Sequence, residues 1–496
     1  MTQHQSGVPR ARGAGTGRLT SSWHPAGRAA TLREHTACYG PLPQLTGRPR
    51  RELIDQVATG GLTGRGGAGF PTATKLRAVA SGRGRPVVVA NGMESEPASE
   101  KDQALLARSP HLVLDGIAMA AEAVGATEAH LCLARTRDWL VDSVLAAQAE
   151  RQRAGLDRVP VAVHALPHHY VSSAETALVR WLNGGEAKPA STPPRPFERG
   201  VRKRPTLIDN AETLAHLALI GRYGGAWFRR AGRADATGTM LTTVTGSVAR
   251  PGVYEVEAGL PVGDVLVLAG LDAASEAVLI GGYFGTWHDL RRVTDLPLSA
   301  AGLRQVGGSP GAGVLVALPP GACGLAEAAR ILRYLASQSA QQCGPCIFGL
   351  PAIADDLTQL AAIRPDGDPL ARLRRRLPVI AGRGACHHPD GAVRMAASAL
   401  TAFAADADAH AHGRSCRAAI RGREGFDQQC RSGQRPDDAD RRDTEQFWDH
   451  DHRRAGAQFW REGSRRSATS DVRWDAGPQR TALLPVPRPF AEGDWR

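Results

Sequence analysis

The sequence predicts an α/β domain, then a small α+β unit, then a helical domain. Three observations point there. Apolar runs bounded by Gly and Pro, such as Pro86-Val87-Val88-Val89-Ala90-Asn91, have the pattern of buried parallel strands and alternate with helical stretches to about residue 230. From residue 240 a β-branched run over 240–248 precedes Pro251-Gly252-Val253-Tyr254-Glu255-Val256, which reads as two strands joined by a Pro-Gly turn. Beyond residue 323 the apolar spacing is helical, and Cys343, Cys346 and Cys386 fall in loops between the helices.

Bulk properties exclude several classes. At 496 residues the chain has room for two to four domains. No run of 18 or more apolar residues occurs, so no transmembrane segment is expected. The net charge of +12 is concentrated at the two arginine-rich ends, and no nucleic-acid-binding module accompanies it, so no nucleic-acid partner is expected. Eight cysteines in a chain of this length without a secretory signal favour metal or redox use over a disulfide framework, and a cytoplasmic location is expected. Residues 1–33 contain no acid and lack an apolar stretch, so residues 1–48 read as a disordered basic extension. Residues 413–496 lose apolar periodicity and read as a disordered tail.

Helices are expected at 50–58 and 72–80, flanking Gly60-Gly61-Leu62-Thr63-Gly64-Arg65-Gly66-Gly67-Ala68-Gly69-Phe70-Pro71. Glycines leave amides unshielded and a helix N-terminus adds positive charge, so the loop suits a phosphate, with a plain flexible turn as the alternative. Lys75, one helical turn on, is one of only four lysines in the chain, a compact point charge suited to an anionic or carbonyl oxygen. The strand over 86–91 ends in Asn91-Gly92-Met93-Glu94-Ser95-Glu96-Pro97. Acids there sit where open α/β sheets bind ligands, or they form a solvated turn.

A helix over 112–124, strands over 130–134 and 161–166, and a helix over 170–182 follow. Glu175, near the start of that last helix, can simply complement its dipole. Residues 189–200 read as irregular, and Asp209-Asn210 as the cap of a helix over 211–220. A helix over 262–269 and a strand over 277–281 complete the α+β unit. Helices over 325–338, 350–362, 369–377 and 392–404 make up the last domain.

Taken in order, these motifs resemble the NADH-binding, FMN-containing flavoprotein subunit of respiratory complex I and the related subunits of NAD-linked hydrogenases and formate dehydrogenases. The resemblance covers residues 50–408, and Gly64-Arg65-Gly66-Gly67-Ala68-Gly69-Phe70-Pro71 with Lys75 is its most specific part. It implies a Rossmann-like FMN/NADH domain over 49–232. A soluble-ligand-binding β-grasp domain over 238–320 would follow, its likeness carried by Pro251-Gly252-Val253-Tyr254 and Leu279-Ile280-Gly281-Gly282. A helical iron–sulfur domain would span 323–408. By the same likeness, the backbone of Gly64, Arg65, Gly66, Gly67, Ala68, Gly69 and Phe70 would surround FMN, and Lys75 would reach its polar edge. Asn91, Glu94 and Glu96 match positions around flavin and nicotinamide, Tyr170 and Glu175 the opposite wall, and Asn210 one of a pair of asparagines beside the cofactor. Glu96 and Glu175 are the residues placed at the reacting rings.

Departures accompany the matches. Met93 stands where an aspartate is usual, Ala174-Glu175-Thr176 has lost one acid of a Glu-Glu-Thr, and Asp209-Asn210 replaces an asparagine pair. Leu76 replaces an aromatic residue, and Arg195 falls near a usual Phe. Arg195 or Arg77 near a phosphate leaves NADPH as the alternative dinucleotide. Aligning Cys343, Cys346 and Cys386 with the cluster ligands puts Ala340 at the first position, and three thiolates do not complete a four-cysteine [4Fe–4S] site. A [3Fe–4S] or labile cluster, an external ligand such as His387, His388 or Cys430, and no cluster at all stay open; His387 and His388 otherwise read as solvated loop residues.

The resulting expectation is an NAD(P)H-dependent oxidoreductase passing hydride to FMN and then single electrons, through an iron–sulfur cluster, to a ferredoxin-like or other partner redox protein. Attachment to the inner face of a membrane would be peripheral, through partner subunits. The alternative is a non-catalytic assembly subunit that binds FMN or another ligand.

Overall fold

The apolar runs of the first half pair as a parallel sheet. The protein is described from a computed structural model, covering residues 17–43, 50–363 and 366–416. The chain runs through α1 (Leu32–Tyr39), α2 (Arg50–Gly60), α3 (Thr72–Ala80), β1 (Val87–Gly92), α4 (Lys101–Arg108), α5 (Pro110–Val124) and β2 (Ala129–Ala134). It continues through α6 (Asp138–Arg153), β3 (Val161–Leu166), α7 (Glu175–Leu182), α8 (Pro196–Arg199), β4 (Thr206–Asn210), α9 (Ala211–Tyr223) and α10 (Gly225–Phe228). The sheet order is β3-β2-β1-β4, all parallel. Along β1, Val88 and Ala90 enter one apolar core and Val87 and Val89 the other, which is why this strand reads as a continuous apolar run.

A second sheet follows the short pair β5 (Gly232–Arg233) and β6 (Ala236–Thr237). Its strands are β7 (Thr239–Gly246), β8 (Gly252–Glu257), β9 (Ala277–Ile280), β10 (Thr286–Asp289) and β11 (Val314–Ala317), in the order β10-β9-β11-β7-β8. Only β11 and β7 pair in parallel. The helices α11 (Val262–Leu268), α12 (Leu290–Val293) and α13 (Ala300–Arg304) accompany it. Alternation along β7 ties the two units together: Leu241 enters the core of the first, Met240 and Val244 that of the second. The helical region comprises α14 (Gly324–Ser337), α15 (Leu350–Ala361), α16 (Pro369–Ile380), α17 (His388–Ala402) and α18 (Ala404–Ala411).

The expected disordered extension over 1–48 does not hold for residues 17–43. Thr31 and Glu34 form a capping box for α1, and Leu19 and Tyr39 are buried in the first core. His35 Nε2 lies 2.7 Å from Oδ2 of buried Asp115, which also pairs with Arg151 of α6 and Arg222 of α9. Helices α4 and α6 and strands β10 and β11 add to the elements that the sequence pattern predicts. The helix expected over 170–182 is broken: residues 170–173 form a 3₁₀ turn, and Ala174 is extended before α7 begins. Residues 189–200 are irregular up to α8. The tail expected over 413–496, including Cys430, lies outside the described residues after Cys416.

Candidate functional site

The strand order reverses between β1 and β4, because β2 and β3 lie on one side of β1 and β4 on the other. In open α/β sheets such a switch point leaves a crevice at the carboxyl ends of the strands. The register places Asn91 opposite Asn210, the last residue of β4, and Ala90 opposite Asp209. Both asparagines therefore stand at the mouth of the crevice.

The glycine loop closes over this point. Gly64 N donates to Phe70 O at 2.9 Å and Thr72 N to Leu62 O at 3.0 Å, pinching the base of the loop. Arg65 N donates to Thr213 Oγ1 of α9, and the Arg65 guanidinium to the carbonyls of Thr237 and Thr239 at 3.0 and 3.1 Å. Arg65 thus works inward, fastening the loop to the start of the second sheet; burial lowers its pKa, and Glu212 opposes that. Among the described residues, the amides of Gly66, Gly67 and Ala68 have no acceptor with good geometry, and Gly69 closes the turn over residues 65–68. A Cβ on Gly66 would come within 3.3 Å of Asn210 Cβ, and Gly67 has φ +114°, where side chains are strained. The result is a set of open donors at the switch point.

Lys75, in the first turn of α3, is fully engaged. Nζ donates to Glu175 Oε1 at 2.8 Å, Ile208 O at 2.7 Å and Asp209 Oδ1 at 3.2 Å. Burial pushes its pKa down, but Asp209 and Glu175 outweigh it and the net shift is upward. The expected reach toward a ligand is taken up by two carboxylates and a strand end. Asn91 Nδ2 donates to Ser173 O at 2.9 Å. Asn210 caps α9 through Glu212 N and donates to Asp102 Oδ2 at 2.6 Å.

Glu94 serves the fold rather than the open crevice. At φ 25°, its carboxylate accepts from Ser99 Oγ, Asp102 N and Gln103 N, capping α4 from outside the helix. Glu96 is placed differently. Its Oε2 accepts from Tyr170 Oη at 2.7 Å and from Tyr283 N at 2.9 Å, and its Oε1 from Ala98 N at 3.2 Å. Burial raises its pKa to about 7 against the pull of those donors. Tyr170 also stacks edge-on against Phe284 and His388, with ring centroids 4.7 and 5.7 Å away.

Sequence reasoning missed a buried charge cluster behind Asn210. Lys101 Nζ lies 2.9 Å from Asp102 Oδ1 and 2.8 Å from Glu212 Oε2. Burial pushes Glu212 upward, but Lys101, His216 and Arg65 bring it to about 2. The scarcity of lysine was the available signal for Lys101. Tyr283 was missed as well, although it directly follows Gly281-Gly282. A Cβ on Gly282 would meet Glu96 Cδ at 2.6 Å.

The cysteine loops adjoin this wall. Gln342 receives a bond from Arg180 Nη1 and donates to Pro189 O. All three thiols accept backbone amides: Cys343 from Ala385 and Cys346, Cys346 from Gln341, and Cys386 from His388. Burial raises Cys343, yet its amide donors bring it below the usual thiol range; burial and Cys343 push Cys346 to about 12. Ala340, at the first of the four expected ligand positions, is buried. His387 is exposed, but His388 corrects its reading as a solvated residue: it is buried, with Nε2 2.7 Å from Leu335 O. Arg77 pairs with Asp55 at 3.0 Å, and Arg195 is exposed.

Comparison with known proteins fits this layout. Residues 57–219 match the family model for the Nuo51 FMN-binding domain, 241–270 that for the SLBB domain, and 326–410 that for the NADH-ubiquinone oxidoreductase-F iron–sulfur binding region. The NADH-quinone oxidoreductase F subunit of Streptomyces coelicolor is 30% identical over 378 residues, which is 74% of this chain and 84% of that one. The chain belongs to the family of NADH-quinone oxidoreductase F subunits. A second such protein, the F 2 subunit of Rhizobium meliloti, is 29% identical over 416 residues, 81% of this chain and 96% of that one. Among solved structures, a chain of the NAD+-reducing [NiFe]-hydrogenase in the air-oxidized state superposes with a TM-score of 0.68 at 31% identity, over 73% of this chain and 63% of that one.

Within a member of this family, the unpartnered amides of the glycine loop fit a flavin phosphate. The three amide-bonded thiols fit three ligands of an iron–sulfur cluster, with no fourth cysteine at position 340. No helix among the described residues is long and apolar enough to cross a membrane.

Proposed function

We propose that the chain is an NADH:acceptor oxidoreductase that binds FMN in the switch-point crevice and relays electrons to a partner redox protein. One observation carries the reading: the glycine loop packs over the switch point, with Gly66 against Asn210, while Tyr170 contacts His388, whose amide bonds Cys386. FMN, when bound, accepts hydride from the dinucleotide and releases electrons singly. The chain's own residues do the rest. The loop donors, beside the positive end of α3, would hold the phosphate. Asn91, Asn210 and Glu175 line the crevice, with Lys75 fixing Glu175. Glu96, raised by burial to about 7, can take up or release a proton near neutral pH, with Oε2 accepting two donors and Oε1 the amide of Ala98. Cys343, Cys346 and Cys386 would hold the iron–sulfur cluster.

The proposed division is an FMN/NADH domain over 49–232, a β-grasp domain built on the second sheet over 238–320, and an iron–sulfur domain over 323–408. The partner is a ferredoxin-like or other electron-transfer subunit, the location cytoplasmic, and membrane contact is made through partner subunits. Divergence at Met93, Ala174 and Ala340 modifies the site without removing the loop.

Bleaching of flavin absorbance on adding NADH or NADPH to the purified protein tests the reading. A second reading, a flavin-binding assembly subunit without turnover, is favoured by buried Met93 and by Ala340. Flavin that stays oxidised with both dinucleotides would select it.

A further inference from the structure

A separate donor cluster lies at the far end of the helical region. Sγ of Cys323, a ring nitrogen of His410 and Sγ of Cys416 all fall within 4.8 Å of one another. Three different segments supply them. Cys323 is the N-cap of α14, His410 lies in the last turn of α18, and Cys416 follows in the turn closed by Arg414 N on Ala409 O at 2.8 Å. His410 and Cys416 are buried and Cys323 is half-buried.

Two further observations point to a ligand here. His410 is 0% exposed, and neither ring nitrogen has a hydrogen-bond partner. A buried imidazole with both nitrogens idle forfeits the solvation of two polar atoms, a cost that a metal bond would offset. The Cys323 sulfur accepts the amides of Ala326 and Leu325 at the start of α14 and is hydrogen-bonded to Cys416, while burial, the larger effect, raises the free thiol to about 11. A metal would displace that thiol proton, and the two amides would then help to hold the resulting thiolate.

From this we propose a mononuclear metal site formed by Cys323, His410 and Cys416, suited to zinc and distinct from the Cys343–Cys346–Cys386 site. Two thiolates and one imidazole are the soft and borderline donors that tetrahedral zinc takes. Zinc–sulfur bonds of about 2.3 Å put tetrahedral ligands roughly 3.7 Å apart, so shifts of about an ångström complete the geometry. Binding releases the thiol protons of Cys323 and Cys416 to solvent, and the two thiolates balance the dication. One ring nitrogen of His410 ligates while the other keeps its proton, and the fourth position falls to water or another exogenous donor. The ion ties the start of α14 to the end of α18, closing the helical domain across residues 323–416.

The test is elemental analysis of the full-length protein as isolated, with X-ray absorption at the zinc edge. The expected result is roughly one tightly held zinc per chain in a sulfur–nitrogen shell containing two sulfurs. His410→Ala and Cys416→Ser should each weaken zinc retention about tenfold or more, while Cys343→Ser leaves zinc unchanged. The wild-type measurement stands even if a variant fails to fold. The site is overturned if the wild type holds no zinc and takes none up when zinc chloride is supplied. It is equally overturned if Cys343→Ser removes the zinc, or if peptide mapping without reductant finds Cys323 and Cys416 joined as a disulfide.

Discussion

The phenol of Tyr170 donates to Oε2 of Glu96 at 2.7 Å, and the same oxygen accepts the amide of Tyr283 at 2.9 Å. One carboxylate therefore joins the α/β unit, the turn before α7 and the second sheet. Removing it should loosen all three.

That junction makes stability pH-dependent. Burial raises the Glu96 pKa to about 7, above the unfolded value, so the folded state binds the proton more tightly. Its contribution is fully present below the unfolded pKa of about 4.3 and is lost as pH rises through 7. Glu96→Gln, which mimics the protonated form, should flatten the urea midpoint of the apo protein between pH 5 and 8. The variant should gain on the order of 2 kcal/mol over the wild type at the upper end. Parallel pH profiles for the two proteins would show that Glu96 does not titrate there.

Lys75 holds Asp209 and Glu175 together with one hydrogen bond to each, and a third ties it to Ile208 O. Asp209 is 3% exposed, burial already raises its pKa, and Lys75 is the charge that restrains it. Lys75→Met should cost the apo protein about 3 kcal/mol near neutral pH, and less in acid where Asp209 takes a proton. Urea denaturation at two pH values measures it. Loss of flavin without loss of apo stability would instead make Lys75 a direct ligand of the cofactor.

The loop prediction separates flavin from iron. Gly67 has φ +114° with Gly311 3.7 Å from its would-be Cβ, so a valine there meets backbone strain before it meets crowding. Such strain costs about 1–3 kcal/mol and turns the neighbouring amides. Gly67→Val should purify without FMN while its iron content equals the wild type. Full flavin content in the folded variant would show that amides 66–68 do not hold the phosphate.

What was legible depended on sequence distance. The glycine loop, strand β1 and the helix cap at Asn210 are local patterns, visible because backbone approach, burial and capping each restrict residue type within a few positions. The bonds of Glu96 span 74 and 187 residues, so no window contained both partners. Helix α1 lacks a strong apolar stripe and is fixed instead by His35 on Asp115, 80 residues away. Helix α4 is capped by Glu94 from outside the position where a cap is sought. The four-residue strands β10 and β11 are too short to show a period. For the same reason Glu94 and Arg65 matched a pattern of site residues while their side chains serve the scaffold.

The cluster prediction turns on Ala340. Its side chain is 4% exposed, in the loop that leads to Cys343 and Cys346, where a thiolate would complete a four-cysteine set. The wild type, with three thiolates, should carry iron and sulfide below the content of an intact [4Fe–4S] cluster, and lose iron on exposure to air. Ala340→Cys should raise both toward about four per chain and slow the loss, because the fourth corner gains a protein ligand. Cys346→Ser should do the reverse, removing a buried ligand that no other described side chain replaces. Iron, sulfide and electron paramagnetic resonance on the three proteins decide the matter. Equal iron in all three would mean that Cys343, Cys346 and Cys386 are packing residues and that electrons leave the flavin by another route.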